Sequence, residues 1–338
     1  MKTSILIKNI KPFSILLAVL LSFLSFKTND RTIVVSKDGK GDFITIQQAI
    51  NAIENNSSIR TKIIIKAGVY KEKIIIPETK GAILMEGENP ENTMITYDDY
   101  ASKKNPDGQE TGTTGSSTIF IYSNDFTAKN ISFENSSGRV GQAVAVLISG
   151  DRIAFENCRF LGNQDTLYLK GTQDLQDKTK PSRNYFKSCY IEGTTDYIFG
   201  AGTAVFEYCT IYSKESASYV TAASTPQEND FGFVFINSKI IGNTKENSVY
   251  LGRPWRPFAK TVYIDCELNS TIKPEGWHNW NKPDAEKTTF YAEYHSKGTG
   301  ANSSKRVSWS HQLSKEKRKI YTTENILKGK DNWNVKKI

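Results

Sequence analysis

The chain has 338 residues, 24% charged and 38% hydrophobic, enough apolar material for one elongated domain with a sizeable core. Its formal charge of +8 sits at the ends: three Lys without an acid in the first 26 residues, and eight basic against three acidic residues over 312–338, together account for the whole excess. The body therefore has no basic field, and with no zinc-finger or nucleic-acid-binding motif the composition argues against a nucleic-acid partner.

In chain order, Lys2, Lys8 and Lys11 precede the apolar run PFSILLAVLLSFLSF and the polar KTNDR. A basic n-region before an apolar stretch too short for a comfortable membrane span predicts a signal peptide over 1–27, followed by a single domain over 28–338. No cysteine lies near the junction, which argues against a lipoprotein anchor, while a poor small-residue cleavage signature leaves an uncleaved anchor open. FITIQQAINAIEN, residues 43–55, has helical spacing of apolar residues and is expected to cap the N-terminal coil. KIIIKAGVYKEKIIIP and GAILMEGENPENTMITY look like the first coils.

From residue 131 a pattern recurs in ISFENS, IAFENC, NYFKSC, AVFEYC, FVFINS and TVYIDC. Its aromatics, Phe133, Phe155, Phe186, Phe206, Phe235 and Tyr263, are separated by 22, 31, 20, 29 and 28 residues. Alternating β-favouring residues at a base period near 20 predict an all-β solenoid, a parallel β-helix whose coils differ in loop length. Cys158, Cys189, Cys209 and Cys266 each follow a repeat aromatic by three residues, in a ladder shared with Ser136 and Ser238. Neighbouring rungs bring Cys189 and Cys209 within range of a disulfide in an exported protein, with buried thiols as the plainer reading. No Cys/His spacing suits a metal.

The same repeat aligns two carboxylates. Asp165, in GNQDTLY, lies ten residues after Phe155, and Asp196, in GTTDYIFG, ten after Phe186. Adjacent coils would stack them at about 4.8 Å. Gln164 lies nine after Phe155 and Gln142 nine after Phe133, so two amides should stack beside them. A lone Asp at a turn is ordinarily structural, but stacked like charges repel and make a poor stability device. One carboxyl is pushed to keep its proton while the other carries the charge, which yields an acid and a nucleophile or base from one residue type. Arg253 in YLGRPW offers a cation to choose between them, and Trp255 a flat apolar face for a sugar ring. Irregular insertions leave the place of Arg253 undetermined by spacing.

GQAVAV, GNQDTLY, GTTDYIFG and YLGRPW, in that order, resemble the signature blocks of the pectin methylesterases, carbohydrate esterase family 8. DGKGDFITIQQAI, GVYKEK, GWHNW, FYAEY and YTTENILKGKDNW extend the resemblance along nearly the whole chain after the leader. It implies a right-handed parallel β-helix, with a C-terminal tail packed on the coils, that hydrolyses C6 methyl esters of homogalacturonan and releases methanol without a metal or other cofactor. Asp196 would be the nucleophile, Asp165 the proton donor and acceptor, Gln142 and Gln164 the oxyanion donors, and Arg253 the orienting cation. Trp255, Phe199 and Tyr168 are similar to the family's groove aromatics, and Thr113 to a substrate-contacting threonine. A monomer acting on methylated polysaccharide, with no stable membrane association after leader cleavage, is implied.

Two features depart from that pattern. The loop 169–183 between the aspartates is about ten residues longer than the family's common spacing, which either alters preference for substrate length or methylation pattern or is an inert excursion. TAASTPQEND, residues 221–230, resembles bacterial members more than plant ones, and implies a periplasmic or secreted bacterial enzyme. Rival readings are a polygalacturonan glycoside hydrolase, whose retaining geometry also needs two carboxylates about 5 Å apart, a calcium-dependent lyase, and a non-catalytic pectin-binding β-helix. A serine esterase finds no support: G-x-S-x-G is absent, and His278, His295 and His311 lie late in the chain, away from the motif blocks.

Overall fold

Burying every second residue of a short strand satisfies only one face, so the repeat segments must stack on one another to close a core. In the computed structural model, which describes residues 31–171 and 180–337, they do so as three parallel sheets of eleven, seven and eight strands. Seven coils contribute one strand to each sheet, as in Arg183–Lys187, Tyr190–Gly193 and Thr195–Gly200, and the coils at the two ends are incomplete. The expected signal peptide and residues 172–179 of the long loop lie outside the described residues.

Phe155, Phe186, Phe206, Phe235 and Tyr263 are direct neighbours in successive strands of the eleven-stranded sheet. All are fully buried, and their rings stack at 4.5–5.1 Å with interplanar angles of 5–12°. Each pair adds about 1 kcal/mol beyond its area burial. Two residues further on the backbone turns in the left-handed region, at Asn157, Ser188, Tyr208, Asn237 and Asp265, with φ of 50–55°. Asn and Asp tolerate that conformation best, which explains their recurrence there.

One member of the repeat is displaced. Phe133 lies opposite Phe160 in the eight-stranded sheet, and the true neighbour of Phe155 is Ala128. Counting from Phe133 still reaches the right glutamine, because the stretch from Asn135 to Gln142 spans seven positions where Gly162 to Gln164 spans two. That five-residue excess matches the five residues separating Phe133 from Ala128. Ser136 accordingly leaves the thiol ladder, and Ile131, three after Ala128, takes its place.

The four cysteines are free and buried, so the disulfide reading of Cys189 and Cys209 is corrected. Each thiol donates to a carbonyl of the preceding coil: Cys158 to Ala128, Cys189 to Phe155, Cys209 to Phe186 and Cys266 to Phe235, at 3.4–3.6 Å. Ser238 keeps the pattern, its hydroxyl donating to the Phe206 carbonyl. Burial pushes Cys158 and Cys209 well above the usual thiol range and Cys266 up to about 12.

At the N-terminal end the helix is shorter than the apolar pattern of 43–55, spanning Ile46–Asn51. Thr45 accepts from the Gln48 N–H, and the Glu72 carboxylate accepts from the N–H groups of Ile46 and Gln47, so its first turn is satisfied from within and from the first coil. Ile46, Ala49 and Ile50 are buried against strands Arg31–Val35 and Ile74–Ile76. At the other end Leu313, Tyr321, Ile326 and Leu327 cover Ala154, Tyr185 and Val205 on the outer face of the eleven-stranded sheet. Arg183 fastens this tail. Its buried guanidinium donates to both Asp151 oxygens at 3.0 and 2.5 Å, to Asp331 at 2.5 Å and to the Leu327 carbonyl at 3.0 Å.

Arg183→Ala takes from buried Asp151 the guanidinium that meets both its oxygens, leaving Arg152 Nη1 at 3.1 Å as its remaining cation, and is expected to lower the unfolding free energy by about 3 kcal/mol. Denaturant unfolding checks this, and a loss below ~1 kcal/mol, the scale of an exposed pair, contradicts it. None of the four thiols is expected to react with an aromatic disulfide reagent in the folded protein, and all four in denaturant; fewer than four would revive a crosslink.

Candidate active site

Outward-facing residues of the seven-stranded sheet form one row across successive coils: Leu147, Tyr168, Phe199, Ala222 and Arg253. Tyr168 and Phe199 stack at 4.2 Å and 10°, the spacing that parallel pairing dictates for identical register. Trp255 leans over both, at 6.2 and 5.8 Å. This aromatic floor belongs to a cleft of about 470 Å³. All nine residues singled out in the sequence line it: Thr113, Gln142, Gln164, Asp165, Tyr168, Asp196, Phe199, Arg253 and Trp255.

The polar wall follows from the strand starts. Gln142 and Gln164 pair in a parallel bridge, and the Asp165 N–H donates to the Thr195 carbonyl at 3.0 Å, which sets Asp165 and Asp196 on adjacent coils. Both aspartates have left-handed backbone, φ 68° and 49°, and the register shifts between Thr195 and Ile198. A bulge with a left-handed non-glycine residue re-aims the side chain out of the alternation, at a cost other contacts must offset. Among the described residues neither glutamine amide has a side-chain hydrogen bond within the chain, so both remain available to a ligand.

The two carboxylates differ in electrostatics. Asp196 accepts from Arg253 through two oxygens, Nε at 2.9 Å and Nη2 at 2.7 Å, a bidentate pair. Asp165 has no hydrogen bond to its carboxylate among the described residues, although only 7% of the residue is exposed. Burial first, then the Asp196 charge, push Asp165 well above the usual carboxylate range. Burial raises Asp196 too, but the Arg253 hydrogen bonds and charge oppose that rise. Asp196 is therefore the more acidic member, and the proton of the pair resides on Asp165.

The motif reading missed two aromatics. Trp280 lines the cleft, and the Arg253 guanidinium carbon lies 3.7 Å from its ring centre and 3.8 Å from that of Tyr219. Trp280 closes GWHNW, a segment the sequence marked only as a matching block. His278, expected away from the motifs, packs against Tyr219 and Tyr250 at 5.7 and 5.1 Å.

Comparison with known proteins fits this architecture. The Pectinesterase family model matches residues 32–330. The chain belongs to the pectinesterase family. Pectinesterase 31 of Arabidopsis thaliana is 39% identical over 84% of this chain and 88% of its own length. Among solved structures, pectin methylesterase from carrot has a TM-score of 0.77 at 33% identity, over 88% of this chain and 93% of its own. A pectin methylesterase in complex with a hexasaccharide has a TM-score of 0.75 at 30% identity, over 89% of this chain and 97% of its own. The pectinesterase fold is thus the right-handed parallel β-helix. Sequence relatives at 39% and 36% identity are plant pectinesterases, which corrects the bacterial affinity read from residues 221–230.

Within this pectinesterase cleft Asp165 holds its proton at pH values where the unfolded chain has released it. Folding is then penalised progressively as pH rises through the raised value, and Asp165→Asn removes the penalty. The variant is expected to melt at least about 2 °C higher at neutral pH and no higher near pH 3. Paired melting curves at the two pH values check it, and a neutral-pH loss of stability contradicts it.

Proposed function

We propose that this pectinesterase-family chain removes C6 methyl esters from homogalacturonan, giving de-esterified pectin and methanol, with its two aspartates dividing the chemistry. The observation that carries the division of labour is the bidentate Arg253–Asp196 pair beside a buried Asp165 that lacks such a cation. A carboxylate held ionised is a nucleophile, and a carboxyl held protonated is an acid.

Ionised Asp196 attacks the ester carbonyl carbon. The tetrahedral oxyanion takes hydrogen bonds from the free amides of Gln142 and Gln164, which suit an oxyanion because they donate without carrying charge. Collapse expels methoxide as Asp165 gives up its proton, so methanol leaves and an acyl-Asp196 anhydride remains. Asp165, now ionised, takes a proton from water, whose oxygen attacks the acyl carbon. The second collapse frees ionised Asp196 and the substrate carboxylic acid, which gives its proton to solvent, and leaves Asp165 protonated. Tyr168, Phe199, Trp255 and Thr113 are the substrate contacts in this reading, and the solved relative with a bound hexasaccharide supports a polysaccharide in the groove.

We further infer export from the cell after removal of 1–27, with 28–338 acting as one domain and a monomer. All the residues assigned to the chemistry come from one chain, and no helix among the described residues is long and apolar enough to cross a membrane. Asp196→Asn is expected to cut methanol release from methylated pectin by about a thousandfold or more while substrate binding and folding persist. Methanol without new reducing ends is the expected product pattern. New reducing ends instead would establish a glycoside hydrolase, and binding without methanol a non-catalytic module.

A further inference from the structure

The Arg253 guanidinium is positioned by more than Asp196. Tyr219 and Trp280 clamp it between two rings at 3.8 and 3.7 Å, a sandwich that fixes the plane in which its donors meet the carboxylate. Trp280 stands on a turn where it and Asn281 both have left-handed backbone, φ 58° and 54°. The hydrogen bond that closes this turn runs from the Trp280 N–H to Nδ1 of His278, at 3.1 Å. His278 is tied to the strand carrying Arg253, its own N–H donating to the Gly252 carbonyl at 3.1 Å. A ring nitrogen accepts only when unprotonated, so the turn requires neutral His278 with its proton on Nε2.

We infer that His278 is a positioning residue that couples the Arg253–Asp196 pair to pH: neutral His278 holds Trp280 on Arg253, and a proton at Nδ1 opens the turn and releases the clamp. This rests on the pectinesterase reading of the cleft. The groups facing His278 are Tyr219 and Tyr250 from neighbouring strands, Arg253, and Lys273, whose ammonium lies 5.0 Å from the Tyr250 ring, with Glu275 near Tyr250. No carboxylate among the described residues pairs with His278. Burial, then the charges of Arg253 and Lys273, hold it below the ordinary imidazole range. The clamp is accordingly intact at neutral pH and is lost as pH falls through that lowered value. Aspartate protonation shuts the same site at acid pH, so the two steps must be separated by mutation.

Asn at position 278 presents Oδ1 where Nδ1 accepts and does not titrate; Ala presents no acceptor. Methanol release from methylated pectin gives kcat and KM against pH for wild type, His278→Asn and His278→Ala. His278→Asn is expected to keep near wild-type kcat at neutral pH, to lose one protonation from the acid limb and to move its midpoint to lower pH by at least about half a unit. His278→Ala is expected to lose about tenfold in kcat at neutral pH. A wild-type acid limb in His278→Asn, or wild-type neutral kcat in His278→Ala, overturns the inference. In labelled wild type the Trp280 amide resonance should titrate together with the His278 ring, and an amide indifferent to that titration overturns it as well. Should wild type release no methanol at any pH, the pectinesterase reading fails, while the resonance titration still decides the coupling.

Discussion

Parallel register is the constraint on which the cleft depends. Once Phe155 pairs with Phe186, the hydrogen-bond ladder carries the same register round the coil to Tyr168 and Phe199. A slip of one residue would turn every side chain of the strand to the opposite face. The stacked rings make that slip costly, because Phe155, Phe186, Phe206, Phe235 and Tyr263 are all in the core and all in contact along the axis. Asp165 and Asp196 face the cleft because an apolar ladder on another sheet forbids any other alignment.

That rigidity allows the site to hold two features that are individually unfavourable. Buried carboxyls seek a partner, yet only Asp196 receives a cation, and both aspartates adopt left-handed backbone. The asymmetry separates the protonation preferences of two chemically identical groups, as a proton donor next to a nucleophile requires. Arg253 creates it, and the ring sandwich of Tyr219 and Trp280 keeps its donors aimed.

Remote parts of the chain contribute stability without touching the chemistry. The tail covers the outer face of the eleven-stranded sheet with Leu313, Tyr321, Ile326 and Leu327, and the Arg183 network with Asp151 and Asp331 locks it there. The thiol ladder fills the corners with small, hydrogen-bonded side chains, which a strained crosslink would disturb.

What the sequence determined by itself is whatever repeats. Alternation, base period and the offset of ten from Phe155 and Phe186 suffice for the parallel β-helix and for the juxtaposition of Asp165 and Asp196, because equal offsets in equal-length paths end at equal rungs. The same logic failed where path lengths differ. The repeat puts Phe133 in line with Phe155 and Ser136 in line with Cys158, whereas Phe133 pairs with Phe160, and Gln142 still meets Gln164 because two five-residue offsets compensate. Only the tertiary structure decided where Arg253 lands, since it is brought back to Asp196 across 57 residues of irregular loops. Trp280, Tyr219 and His278 were likewise beyond reach of the sequence. Their roles arise from contacts among a loop and two strands, and no periodicity relates residues that meet only because the coil between them has closed.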